Sequence, residues 1–131
     1  MILKIDMTGE IPIYQQIRNQ IVGGTAEGRL SPGESLPTVR QLAADIGVNP
    51  MTVNKAYALL KEEGMIEIDR RHGARISTGS MRGNAFSGEF DTRAVLLISE
   101  AYMRGASGEE IKKHFSELVD RSSGSNGGVK R

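Results

Sequence analysis

Within about two helical turns the sequence sets Asn49, Met51, Thr52, Asn54 and Lys55, an array of amides, a thioether, a hydroxyl and a cation. If Val53, Tyr57 and Leu60 face a core, a helical step of about 100° per residue turns Met51 and Lys55 to the opposite side. Thr52 and Asn54 then flank them. Such groups can hydrogen-bond or touch base edges in a major groove, and a helix N-terminus favours a nearby phosphate. On a lone helix this face is an ordinary solvated surface, so the neighbouring elements decide its meaning.

A second set of polar groups follows closely. Arg70, Arg71, His72 and Gly73 lie in a run that also holds Arg75 and Arg82, with Asp69 its single acid, whereas Glu62, Glu63 and Glu67 crowd the segment before it. The net charge of +1 is uninformative; its distribution marks one cationic stretch. Alone this is a weak signal, since charge runs usually mark a solvated face. No other chemistry competes. Cysteine is absent, which removes disulfides, thiolate nucleophiles and Cys-type zinc sites. His72 and His114 are the only imidazoles and have no acidic cluster at metal-ligand spacing, so no metal and no cofactor are expected. Neither a Gly-rich phosphate loop nor a nucleophile elbow is present, and no paired-carboxylate pocket can be built, so an enzyme is not expected.

The elements that must position these groups are legible in the patterning. Of the 131 residues 38% are hydrophobic and 25% charged, enough for one domain with an aliphatic core and an appendage. With no signal-peptide pattern and no long apolar run, the expected location is the cytoplasm, with no membrane contact. A first helix is expected from Pro12, burying Ile13, Ile17 and Ile21, its second half softened by Gly23 and Gly24. Leu30 to Glu34 is turn chemistry. A second helix spans Thr38 to Ile46, with Val39, Leu42, Ala43 and Ile46 inward and Gly47 ending it. Asn49 as N-cap and Pro50 at the first helical position open a third helix, which Gly64 closes. Met65–Ile68 and Arg75–Ser77 are expected strands joined by the hairpin loop Asp69–Gly73.

The fold class is therefore α+β: an N-terminal winged helix-turn-helix of three helices and a two-stranded wing over residues 1–77, then a short two-helix dimerisation tail. A linker over 78–90 and a disordered tail over 122–131 complete the organisation. Helices over Thr92–Arg104 and from a Ser107–Glu110 capping box form the dimerisation region, 91–121. The first has two apolar rows, Val95, Ile98 and Tyr102 beside Ala94, Leu97 and Ala101. Ile111, Phe115 and Leu118 can cover only one of them, so Val95, Ile98, Tyr102 and Phe115 are the expected homodimer contacts.

The order helix–turn–helix–hairpin supplies the context that turns the Asn49–Lys55 face into a DNA-reading one. Leu36-Pro37-Thr38-Val39-Arg40-Gln41-Leu42-Ala43, Ile46-Gly47-Val48-Asn49-Pro50-Met51-Thr52-Val53 and Ala56-Tyr57-Ala58-Leu59-Leu60-Lys61-Glu62-Glu63-Gly64 resemble the GntR family of bacterial regulators. The resemblance extends upstream through Pro12-Ile13-Tyr14-Gln15-Gln16-Ile17 and Leu30-Ser31-Pro32-Gly33. The two-helix tail is similar to the YtrA-type subfamily. The resemblance implies that Arg40 approaches the DNA backbone, the third helix enters the major groove, and the wing, with Gly73 at its second glycine position, reaches the minor groove. Arg71 stands where a first wing glycine is usual, and Arg75 replaces an aromatic. The implied function is a sequence-specific transcription regulator, a repressor of its own or a transporter operon, with a double-stranded DNA operator and a second copy of itself as partners. A winged helix that binds only proteins is the alternative, and the polar face and wing arginines weigh against it because an interaction face favours exposed aromatics. The two-helix tail is too small to enclose a metabolite pocket within one chain, and no effector is assigned.

Overall fold

The computed structural model describes residues 2–78, 86 and 88–125. Several of its helices begin at a side chain that accepts from a free N–H group, though the first does not. Pro12, with φ −55° and ψ 146°, is the N-cap of α1 (Ile13–Ala26), one residue outside the helix it was expected to open. The helix α2 (Val39–Ile46) starts from a capping box that the sequence reading missed: the Thr38 hydroxyl accepts from the Gln41 N–H at 3.1 Å, and the Gln41 side chain accepts from the Thr38 N–H at 2.9 Å. Gly47, at φ 71°, ends it in the left-handed conformation that a side chain would disfavour. In α3 (Pro50–Glu62) the Asn49 side-chain oxygen Oδ1 accepts from the Met51 N–H at 2.7 Å.

These helices share one core. Ile17 and Ile21 from α1, Leu42 from α2, and Val53 and Leu60 from α3 are its most deeply buried side chains, with Leu30, Leu36, Ile66 and Ile76 around them. α1 runs unbroken through Gly23 and Gly24, and Gly24 is buried against Leu30 so closely that a Cβ there would sit 3.3 Å from Leu30 Cδ1. Tyr57 is buried, and its hydroxyl donates to the Pro37 carbonyl at 2.7 Å and ties α3 to the entry of α2. Burial pushes its phenol well above the ordinary range, so it remains a donor at any working pH. Tyr57→Phe is expected to cost about 1–2 kcal/mol in urea unfolding, because it removes a bond and leaves a carbonyl short of a partner. An unchanged midpoint would show that water replaces the hydroxyl.

The wing consists of β1 (Ile66–Asp69) antiparallel to β2 (Gly73–Ile76), in the register Ile66↔Ile76 to Asp69↔Gly73. The strands expected at Met65–Ile68 and Arg75–Ser77 are thus displaced, and β2 starts two residues earlier than Arg75. Pairing of Asp69 with Gly73 explains this, since only Arg70, Arg71 and His72 are left to turn the chain. Gly73, at φ 69°, takes the positive φ expected of it, and no non-glycine residue among those described does. Arg71 therefore occupies its glycine-like position without left-handed backbone. The segment 33–36, expected in part to be a turn, instead covers the free edge of β2: Leu36 N–H donates to the Ala74 carbonyl and Ile76 N–H to the Glu34 carbonyl, each at 2.8 Å. Covering an edge in this way satisfies its ladder groups and blocks foreign pairing.

Gln16 and Gln20 of α1 bind the N-terminal segment. The Gln20 amide exchanges hydrogen bonds with the main chain of Lys4, and the Gln16 amide does so with Asp6. Side chains one helical turn apart thus imitate a β ladder, and Leu3 and Ile5 reach the core.

These elements belong to the first of two compact units, Met1–Met81 and Arg82–Arg131. In the second, α4 (Gly88–Met103) and α5 (Gly108–Ser125) are joined through Gly105, at φ 100°. The Ser107–Glu110 box forms as expected: Ser107 N–H donates to the Glu110 carboxylate at 2.7 Å, and Glu110 N–H to the Ser107 hydroxyl at 3.1 Å. Two boundaries are corrected. α4 begins at Gly88, so residues 88–90 of the expected linker are its first turn, where Glu89 and Asp91 favour the helix N-terminus. α5 continues to Ser125, so residues 122–125 of the expected disordered tail are helical. Residues 79–85 and 87 of the linker and 126–131 of the tail lie outside the described residues.

Candidate nucleic-acid interface

The packing of α3 selects which of its side chains face out. Val53, Ala56, Tyr57 and Leu60 are buried; Met51 is 78% exposed, Asn54, Lys55 and Ala58 are exposed, and Thr52 is half-buried. The outward stripe anticipated from periodicity is therefore present, and it extends through Ala58. Asn49 spends its carbonyl oxygen on the helix cap, which leaves its NH2 group as the donor available to a ligand.

Recesses border this stripe on both flanks. On one flank Asn54, Ala58 and Lys61 line a groove with Thr38 from the start of α2 and with His72 and Gly73 from the wing. On the other, Thr52 and Lys55 line a shallow recess with Pro12, Ile13 and Tyr14 at the start of α1. The Lys55 ammonium lies 4.1 Å from the centroid of the Tyr14 ring, a cation–π contact. Sequence reasoning missed Ala58, Lys61 and Tyr14. The first two were within reach, since Ala58 and Lys61 continue the face of Asn54 at helical spacing. Tyr14 was not, because its contact joins residues far apart in the chain.

The cations around the stripe divide into used and unused charges. Arg75 faces Glu67 directly across the hairpin, 3.3 Å from its carboxylate and 3.9 Å from that of Asp69. Its charge therefore serves the hairpin. Asp69 also holds the loop by accepting the His72 N–H, and this bond, with help from the His72 ring and Arg75, keeps its carboxyl below the usual range. The His72 Nδ1 lies 3.3 Å from the same carboxylate. Arg70 and Arg71 are exposed and form no ion pair among the described residues. Arg40 is likewise exposed on α2, and the salt bridge with Asp45 that could have occupied it is not formed. Arg18, by contrast, is fixed to Glu63 at 2.9 Å, linking α1 to the end of α3. The free cations Arg40, Arg70 and Arg71 thus belong to the elements that carry or adjoin the outward face of α3.

In the second unit Val95 is 59% exposed, Tyr102 55% and Phe115 38%, and Ile98 is half-buried. The half-buried line of α4 is Ala94, Ile98 and Ala101, which mixes the two rows drawn from the sequence. Leu97 and Ala101 border a groove with Ile111, Phe115 and Leu118 of α5, and Ile111 is the one buried side chain described in this unit. Leu96 and Met103 add exposed apolar surface that the two-row description left out. No described helix is long and apolar enough to cross a membrane.

The arrangement of helices, wing and free cations is that of known regulators. The family described as "Bacterial regulatory proteins, gntR family" matches residues 12–76, the whole span from the start of α1 to the end of β2. Beyond it, the HTH-type transcriptional repressor YtrA of Bacillus subtilis is 34% identical over 119 residues, covering 88% of this chain and 91% of that one. Among solved structures, a transcriptional antiterminator from Listeria monocytogenes EGD-e superposes with a TM-score of 0.77 at 30% identity, over 100% of this chain and 97% of the other. YtrA from Sulfolobus acidocaldarius, a GntR-family transcription factor, gives a TM-score of 0.60 at 36% identity, over 77% and 99% of the two chains. With its winged helix and its helical tail both matched along nearly the full length of a relative, the chain belongs to the gntR family of bacterial regulatory proteins, and it is a DNA-binding transcription regulator rather than an enzyme.

Proposed function

We propose that the protein is a cytoplasmic repressor that binds an inverted-repeat operator as a homodimer and controls its own or a transporter operon. The observation that carries this reading is the unpaired set Arg40, Arg70 and Arg71 around an exposed stripe that offers donors to base edges. In it Asn49, Met51, Thr52, Asn54 and Lys55 enter the major groove. Arg40 takes a phosphate of the backbone. Arg70, Arg71, His72 and Gly73 carry the wing to the adjoining backbone and minor groove, where phosphate contacts set register and base contacts set sequence. The name of the Bacillus relative, a repressor matched over most of its length, favours repression. Dimerisation is supported by the apolar side chains left exposed on α4 and α5.

Selection of binding sites from random DNA, followed by footprinting on the selected duplex, tests this directly. Two protected half-sites of inverted sequence are expected, their centres about 10 bp or a multiple apart, because a two-fold dimer presents one α3 per half-site. Protection of a single asymmetric half-site would remove the dimeric part of the reading. Absence of any enriched sequence would remove the DNA-reading part.

A further inference from the structure

Lys55 is a long, flexible cation, yet its ammonium is held 4.1 Å above the Tyr14 ring. Tyr14 lies in the first turn of α1, Lys55 in the first half of α3, and the packing of α1 on α3 fixes the distance between their backbones. The Tyr14 ring is itself half-buried against the core, so it cannot easily follow a moving lysine. No acidic residue pairs with Lys55 among those described, which leaves the ring as the group that aims it. The ring faces one side of the ammonium only, and the N–H donors turned away from it stay available. Pro12, Ile13 and Thr52 wall the same recess and limit the alternatives open to the chain.

We propose that Tyr14 is a specificity-determining positioning residue: its ring pre-sets the Lys55 ammonium for the base edge that Lys55 reads. This rests on the reading of α3 as the major-groove helix. A lysine free to sample its rotamers gives up that freedom when it binds a base, and the loss falls on the discriminating contact. A lysine already held over a ring gives up less, so more of the contact appears as preference for the operator. The aromatic face is the active feature. The Tyr14 hydroxyl plays no part, so phenylalanine substitutes and an aliphatic side chain does not.

The test is a double-mutant cycle on the full chain, with affinity measured for a selected operator duplex and for its scrambled counterpart. Tyr14→Leu keeps apolar volume against the core and is expected to lower the operator-to-scrambled ratio roughly three- to tenfold, the span of a contact at this exposure. Tyr14→Phe is expected to stay within about twofold of the parent. In a Lys55→Ala background Tyr14→Leu is expected to change the ratio no further. Thermal unfolding of each variant accompanies the measurements, and Tyr14→Phe preserves the test if Tyr14→Leu folds poorly. The proposal is overturned if Tyr14→Leu weakens both duplexes equally, acts equally with and without Lys55, or if Tyr14→Phe behaves like Tyr14→Leu. If instead Lys55→Ala leaves the ratio unchanged, the role of Lys55 itself fails and that of Tyr14 falls with it, an outcome distinct from the others.

Discussion

Lys55→Ala is expected to lower affinity for the operator by roughly five- to a hundredfold while leaving affinity for scrambled duplex nearly unchanged, because a base-edge contact carries ~1–3 kcal/mol of discrimination. Arg71→Ala is expected to weaken both duplexes by one factor and to flatten the dependence of binding on salt by about one counterion. The contrast follows from where the two cations sit. Lys55 projects from the outward stripe of α3, tethered to Tyr14, whereas Arg71 stands at the wing tip with no acidic partner among the described residues. Arg75→Ala supplies an internal control. Its guanidinium is already engaged by Glu67 and Asp69, so its removal is expected to affect the hairpin more than the salt slope. Titrations of each variant on both duplexes across a salt series separate these outcomes. Indistinguishable behaviour of Lys55→Ala and Arg71→Ala would abolish the division of labour between helix and wing.

What the sequence could and could not convey follows from the range over which each feature is determined. The start and end of α3 are local: Asn49, Pro50 and Gly64 lie within a turn of the ends they define, and all three act as their residue types require. The α5 cap is local too, with Ser107 and Glu110 three residues apart. The outward stripe of α3 is fixed by periodicity, hence the exposure of Met51, Asn54 and Lys55. Errors begin where partners are remote. The shift of β2 depends on Asp69 meeting Gly73 and on the strand-like pairing of segment 33–36 along the far edge, neither visible in a short apolar run. The count of wing arginines overstated its free charge, since the ion pairs of Arg75 require the hairpin register to be known. The hold of Gln16 and Gln20 on the N-terminal main chain is equally hidden, because glutamine at helical spacing has no signature that separates solvation from main-chain pairing. The same limit hid the contact between Tyr14 and Lys55.

The second large effect concerns the dimer. A chain whose second unit buries one described side chain, Ile111, while exposing Val95, Leu97 and Tyr102 at more than half of their surface, has little to hold α4 and α5 together unaided. A stable two-fold contact buries about 800 Å² per partner, so it must draw on exposed apolar side chains of both helices, Val95, Leu97 and Tyr102 of α4 with Phe115 and Val119 of α5. Ile98 is among the dimer contacts expected from the sequence, but it is half-buried, and a charge there confounds loss of the dimer with loss of the helix pair. Val95 is the cleaner probe, because it is 59% exposed within the chain and a glutamate there remains solvated in the monomer. In the dimer the same glutamate would be desolvated twice and placed near its symmetry mate, a combination strongly unfavourable to association. Val95→Glu is therefore expected to halve the mass measured by light scattering while circular dichroism keeps its helical signal. Operator affinity is expected to fall by roughly a hundred- to ten-thousandfold, since two linked reading helices gain that much from effective concentration. Non-specific binding by the winged helix should fall far less, because each α3 and wing keeps its own phosphate contacts. If Val95→Glu remains dimeric and binds the full operator as before, the interface lies elsewhere, and the exposed apolar surface of α4 must be covered by something other than a second copy of this chain.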